Sequence, residues 1–222
     1  LYPETFPGLL AGGIYGKAMR NGLWSLKTVN IRDYADDKHK TVDDTVFGGG
    51  SGMLMKPDIV ANSLDKNISK GEKIFYLSPK GKKFNQSFAN SLSKQNGINL
   101  ICGHFEGVDD RLLSTRNIEE ISIGDYVLSG GETAAFVILD AVLRLIPGVL
   151  GNKDSIKDET FENSLLEYPQ FTKPKIWEGK SVPDVLFSGD HAKIKSWRLS
   201  QSEDITRRQR PDLWEKYLKD KK

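Results

Sequence analysis

Apolar residues fall in short runs between polar, glycine-bearing stretches: Lys73 to Leu77 (KIFYL), Asn99 to Cys102 (NLIC) and Glu120 to Ile123 (EISI). Runs of this length and composition predict strands. Asn85 to Gln95 and Val108 to Thr115 read as helical segments between them, and the alternation predicts an α/β fold with a mostly parallel sheet. Glu132 to Leu145 is apolar on nearly every face (Ala134, Ala135, Phe136, Val137, Ile138, Leu139, Ala141, Val142, Leu143), which predicts a buried helix, at a subunit contact as one option. Pro147-Gly148 ends it. After Gly151 the periodicity stops in NKDSIKDET and resumes at Leu165. The pattern therefore divides into an α/β domain over 1–150, a flexible linker over 151–164, and a small helical C-terminal domain over 165–222. Ala192 to Gln201 and Asp212 to Leu218 are the clearest helices of that last part.

Charge adds one asymmetry. The 222 residues hold 32 Lys/Arg against 30 Asp/Glu, so composition alone announces no nucleic-acid binder. From His191 to Lys222, however, ten basic residues face five acidic ones, leaving an acidic body before them. A single cysteine, Cys102, excludes an internal disulfide, and three histidines argue against a zinc site. His39 with Asp43, Asp44 and the GGGSG turn could hold a metal, but that spacing more often marks a surface loop, and no metal ligand is assigned. Cys102 reads as a small core residue and His104 as solvent-facing. The longest apolar run is broken by Asp140 and Arg144, and no leader pattern is present, so the expectation is a cytoplasmic protein that meets no membrane. A start at Leu1 raises the expectation of an opening strand further upstream.

In α/β sheets ligands bind beyond the carboxyl ends of strands, which points to YLSPKG (Tyr76 to Gly81), CGHFEGVDDR (Cys102 to Arg111) and IGDYVLSGGE (Ile123 to Glu132). None contains GxxxxGK[ST] or a GxGxxG opening a helix, so a nucleoside triphosphate is disfavoured. Glycine turns flanked by Glu106 and Asp125 suit a cationic, phosphate-free adenosine derivative, S-adenosylmethionine. From the residues alone, ordinary turn geometry explains Gly130-Gly131 more readily, and Asp125 could simply cap its turn.

Longer blocks shift that balance. RDYADDKHKTVDDTVFGGGSGMLM (Arg32 to Met55), ICGHFEGVDDR, SIGDYVLSGGE, RLIPGVLGN (Arg144 to Asn152), LLEYPQFTKP (Leu165 to Pro174) and SGDHAKIKSWR (Ser188 to Arg198) resemble, in this order, the signature blocks of the bacterial tRNA (guanine-N1)-methyltransferase family, TrmD. The resemblance spans essentially the whole chain. It implies a SPOUT-class methyltransferase whose α/β domain contains a deep trefoil knot. It implies that S-adenosylmethionine lies against Tyr76, Leu77, Ser78 and Pro79, against Gly103 and Glu106, and against Ile123, Gly124, Asp125, Tyr126, Val127, Leu128, Gly130 and Gly131. The implied substrate is tRNA with guanosine at position 37, and the implied assembly is a homodimer with a shared active site. Magnesium is a candidate assisting ion without assigned ligands.

N1 of guanine carries a proton, so methylation there needs a carboxylate base and a cation for the charge developing at O6. By resemblance Arg144 is the active-site arginine. The family's catalytic aspartate position falls on Glu159, with Asp158 just before it, and either could be the base. Arg198, Arg207, Arg208 and Arg210, near Trp197 and Trp214, resemble a phosphate-contacting surface. A knotted methyltransferase acting on ribosomal RNA and a non-catalytic RNA-binding dimer are the competing readings.

Overall fold

The computed structural model describes residues 1–151, 161 and 164–221. The chain forms two compact units, Leu1–Gly151 and Asn152–Lys222. The first is mixed α/β. Its strands are β1 (Asp43–Thr45), β2 (Met53–Met55), β3 (Ile74–Lys83), β4 (Asn99–Ile101) and β5 (Glu119–Ser122). Its helices are α1 (Gly13–Arg20), α2 (Pro57–Asn67), α3 (Gln86–Ser93), α4 (Asp110–Thr115) and α5 (Gly131–Leu143). β1 and β2 pair antiparallel, while β3 stands between β4 and β5 in an all-parallel sheet.

Period-two alternation in β3 explains why the sheet is covered on both faces. Ile74 and Tyr76 enter one core with Val60 and Leu64 of α2, and Met55 of β2. Phe75 and Leu77 enter the other with Ala89 and Leu92 of α3, and Ala135, Ile138 and Val142 of α5. A third cluster joins Leu10, Ala18 and Trp24 to Leu143 and Val149. α2 starts with Pro57 at its first position and buries Ile59, Val60, Ser63 and Leu64, the spacing of one helical face.

The pattern places the end of the KIFYL strand at Leu77, yet β3 runs on to Lys83. Leu77 and Lys82 both pair with Ile121, so the four residues between them bulge out of the ladder. Pro79 has no N–H to give to a neighbouring strand. The Ser78 hydroxyl accepts a hydrogen bond from the Lys80 amide at 3.2 Å and closes the bulge locally. Gly81 lets the chain return: a Cβ there would lie 2.6 Å from the carbonyl oxygen of Glu120.

α5 is apolar all round, but it is not buried all round. Its sheet face carries Ala134, Ala135, Ile138 and Val142, Phe136 stacks on Phe6 at 4.7 Å, and Val137 is half exposed.

In the second unit, β6 (Ile176–Trp177) and β7 (Lys180–Ser181) form a hairpin, followed by a 3₁₀ turn over Asp184–Phe187 and helices α6 (His191–Gln209) and α7 (Pro211–Asp220). The Asp190 carboxylate caps α6, accepting from the Ala192 and Lys193 amides at 3.1 Å. Thr206, fully buried, donates to the Ser202 carbonyl at 2.6 Å and accepts from the Leu166 amide at 2.8 Å, tying the segment before the hairpin to α6. Tyr217 of α7 donates to Glu203 of α6 at 2.6 Å.

Phe75, 1% exposed and edge-on to Phe88 at 6.1 Å, fills the α3–α5 core. Truncating Phe75→Ala removes the ring and leaves a cavity, with a loss of about 3–5 kcal/mol expected. Urea unfolding followed by circular dichroism checks it, and a loss under about 1 kcal/mol would show that Phe75 does not key this core.

Candidate functional site

The carboxyl ends of β3, β4 and β5 open onto one cleft of about 480 Å³, within the range of small-molecule sites. The bulge after β3, the loop from Gly103 to Val108 and the loop from Ile123 to Gly131 form its walls. The structure brings Tyr76, Leu77, Ser78, Pro79, Gly103, Glu106, Ile123, Gly124, Tyr126, Val127, Leu128, Gly130 and Gly131 to this cleft. Asp125 is the exception. Its side chain is 90% exposed and lies 3.9 Å from Lys83 at the surface, outside the lining.

Each wall has a local cause. The Tyr76 ring fills the space beside two glycines, since a Cβ on Gly103 or Gly107 would lie 2.8 or 2.9 Å from its hydroxyl. Burial, then the charge of Glu120, raises the Tyr76 phenol above its ordinary range, so it stays neutral. The loop is pinned to β2: Glu106 N–H donates to the Met53 carbonyl at 2.9 Å, and Met55 N–H donates to the Gly107 carbonyl at 2.9 Å. The Glu106 side chain occupies the open side of Gly52, the end of the GGGSG turn, where a Cβ would lie 2.5 Å from Glu106 Oε1. The third wall is held by Gly131, whose amide donates to the Gly103 carbonyl at 2.9 Å. Gly124 takes φ +156 beside Ser122, whose hydroxyl donates to the Gly124 carbonyl at 3.1 Å.

His104 departs from the solvent-facing expectation. Its Nε2 lies 2.7 and 2.9 Å from the two Glu132 carboxylate oxygens, and both side chains are largely covered, at 15% and 12% exposure. The pair sits behind Gly130, where a Cβ would meet the His104 ring nitrogen at 2.6 Å and Glu132 Oε2 at 2.8 Å. Burial by itself raises the Glu132 carboxyl, but the His104 hydrogen bond and Glu132's own amide counter it and leave the group below the ordinary glutamate range. The Cys102 thiol is pushed up to about 12 by burial and then by Glu132, so it is a neutral core group and not a nucleophile.

The lining also contains Leu54, Lys80, Phe105, Asp110 and Glu120, for which the sequence pattern gives no site role. Lys80, Phe105 and Asp110 fall within the strand-end segments singled out from the sequence, whereas Leu54 and Glu120 lie on β2 and β5. Three carboxylates (Glu106, Asp110, Glu120) against Lys80 and His104 make a poor cradle for polyphosphate and a favourable one for a cation. That balance of charge fits an adenosine sulfonium.

Arg144 caps the far end of α5, partly buried; its amide donates to the Asp140 carbonyl at 3.3 Å. It does not line the cleft. The Tyr15 hydroxyl donates a short hydrogen bond to the Asp140 carboxylate, and burial followed by that bond raises the Tyr15 phenol well above its usual range. Asp158 and Glu159 lie outside the described residues. Among the described residues no group of three or more His, Cys, Asp or Glu is arranged to hold a metal ion, and no helix is long and apolar enough to cross a membrane.

Of the basic residues on α6, Arg207 pairs with Asp204 at 2.8 Å and Arg198 stacks over Tyr168 at 4.8 Å. Arg208 donates from Nε to the Asp204 carbonyl at 3.2 Å, and Arg210 pairs with Asp212 at 2.6 Å.

Because the folded Glu132 carboxyl is held below its unfolded value, it contributes stability that is present above the ordinary glutamate range and lost as pH falls through the lowered folded value. Glu132→Gln is expected to flatten the fall in urea midpoint between about pH 5 and pH 3. An unchanged acid limb in denaturation curves would show that the pair does not carry it.

Comparison with known proteins places the chain in a family. The family model described as tRNA (Guanine-1)-methyltransferase TrmD matches residues 1–216. A tRNA (guanine-N(1)-)-methyltransferase of Pelagibacter ubique (strain HTCC1062) is 73% identical over 219 residues, covering 99% of this chain and 96% of the relative. That of Brucella canis (strain ATCC 23365 / NCTC 10854 / RM-666) is 54% identical over 222 residues, covering 100% and 91%. That of Bartonella henselae (strain ATCC 49882 / DSM 28221 / CCUG 30454 / Houston 1) is 52% identical over 221 residues, covering 100% and 95%.

Proposed function

The chain belongs to the tRNA (guanine-1)-methyltransferase TrmD family, and from that premise we propose that it methylates N1 of guanosine 37 in tRNA with S-adenosylmethionine. The observation that carries the cofactor assignment is the lining of the strand-end cleft, glycine-edged and richer in carboxylates than in cations. When bound there, S-adenosylmethionine supplies an electrophilic methyl group on a sulfonium. Gly103, Gly107 and Gly131 admit the close packing of Tyr76 and Cys102 that shapes the walls, and Glu106, Asp110 and Glu120 provide a field suited to positive charge.

On the substrate side, the carboxylate of Glu159, or of Asp158 in its place, takes the N1 proton of guanine. The freed N1 lone pair would be the nucleophile for the donor's methyl carbon, the carbon–sulfur electron pair leaving with sulfur. Arg144 stabilises the charge that spreads to O6.

Arg144 and the cleft sit at opposite ends of α5. Thirteen helical residues span about 20 Å, more than an arginine side chain reaches. This separation favours a homodimer in which Arg144 and the 151–164 segment of one protomer complete the cleft of the other. The same reading includes a deep trefoil knot in the first unit, a tRNA-binding role for the second, and work in the cytoplasm. The tight passage of Gly81 against the Glu120–Ile121 backbone supports a crowded crossing there. Magnesium is assigned no ligand.

The test is labelled-methyl transfer to tRNA transcripts bearing guanosine or adenosine at position 37. Transfer is expected to the guanosine transcript alone. Arg144→Ala and Glu159→Gln are each expected to cut the rate by about 10²–10³ while calorimetric affinity for S-adenosylmethionine stays near wild type. Full turnover in both variants, or equal transfer to both transcripts, defeats the assignment.

A further inference from the structure

We propose that the β6–β7 hairpin is an RNA-contacting finger, in which Trp177 stacks on an unpaired tRNA base and Lys180 faces a neighbouring phosphate. This rests on the tRNA reading above but names a contact that reading does not include.

The hairpin is uncovered on both faces. Ile176 is 61% and Trp177 63% exposed, and adjacent residues of a strand point to opposite sides of the sheet. A two-stranded hairpin with no core beneath it is marginal in water, so an indole displayed on it is not there for packing. The display is nonetheless ordered. Trp177 lies directly opposite Lys180, and the two residues between them, Glu178 and Gly179, both take positive φ, at +48 and +73, the geometry of a tight two-residue hairpin turn. Val182 N–H donates to the Lys175 carbonyl at 3.0 Å and extends the pairing. Lys175 lies over the Phe187 ring at 4.4 Å and 3.9 Å from Asp184, which fastens the base of the hairpin to the 3₁₀ turn that follows.

Among the described residues no carboxylate or ring is paired with Lys180. The arginines of α6 and the Arg210 that follows it are engaged locally, Arg207 and Arg210 by carboxylates, Arg208 by the Asp204 carbonyl and Arg198 by Tyr168. The hairpin is thus where a flat aromatic surface and an ammonium stand side by side facing solvent, the combination that grips single-stranded nucleic acid without reading sequence. A protein partner is the weaker fit, because two exposed apolar side chains on a two-residue strand fall far short of the roughly 800 Å² per side of a stable interface.

The experiment measures tRNA affinity by fluorescence anisotropy on the full chain, alongside methyl transfer and sedimentation. Trp177→Ala is expected to weaken tRNA binding about tenfold, with Trp177→Phe retaining most of the affinity and S-adenosylmethionine affinity unchanged. Lys180→Ala is expected to reduce the slope of log affinity against log salt by about 0.7–0.9. Wild-type tRNA affinity in both alanine variants overturns the finger, even if the wild-type enzyme methylates guanosine normally and the enzyme reading stands. Loss of the dimer in Trp177→Ala with unchanged tRNA affinity also overturns it, and assigns the hairpin to a contact between copies. Absence of methyl transfer by the wild type counts against the enzyme reading instead, since anisotropy does not depend on turnover.

Discussion

The approach of the N-terminus of α5 to the end of β4 is the constraint on which the cleft depends. Gly131 donates to the Gly103 carbonyl at 2.9 Å, and a Cβ on Gly131 would lie 2.6 Å from the Cys102 Cα. No side chain can be accommodated without pushing helix and strand apart. That contact fixes where the Ile123–Gly130 loop ends and hence the depth of the third wall. It also sets the axis of α5, whose Ala134, Ala135, Ile138 and Val142 then meet Phe75 and Leu77 of the central strand. Packing of the core and shape of the cleft are consequences of one backbone contact.

Electrostatics around that contact are arranged so that no group is chemically aggressive. The thiol of Cys102 is neutral, the Tyr76 phenol is neutral, and Glu132 is committed to His104. The remaining carboxylates of the lining, Glu106, Asp110 and Glu120, are on the proposed reading turned to the positive charge of the donor. This agrees with a division in which the cleft presents the methyl donor and the acid–base chemistry comes from Glu159 or Asp158.

How much of this was legible in the sequence depends on whether a local or a non-local contact decides each residue. The three strand cores and α5 were readable because KIFYL, NLIC, EISI and the apolar run after Glu132 carry their burial in their own spacing. The extension of β3 to Lys83 was not, because Pro79 and Gly81 read as a loop and the strand resumes only by pairing with Ile121. α2 carried a usable signal, Pro57 at its start and burial at 59, 60, 63 and 64. α1 gave less, since Gly13 and Gly16 lower helix propensity and its fit depends on Trp24 and Leu143 from elsewhere. Among site residues, the loop glycines were legible from position after a strand. The outward turn of Asp125 was not legible because charge says nothing about which way a turn residue points, nor was the cover of His104, whose partner is 28 residues away.

Helix α5 acts as a spacer as well as a core element. Its glycine end belongs to the cleft, and its arginine end, braced through Asp140 by Tyr15 from α1, stands about 20 Å off. A helix packed along its length against β3 and Phe136–Phe6 cannot bend to bring those ends together. If Arg144 acts on the guanine of a tRNA whose methyl donor lies at Gly131, the donor and the arginine must come from different chains. A mixture of two inactive proteins then becomes informative. One altered only at Arg144 and one altered only at Gly131 would form hybrid dimers with one intact composite site, and regain of methyl transfer on mixing is the outcome that a site contained in one chain does not allow.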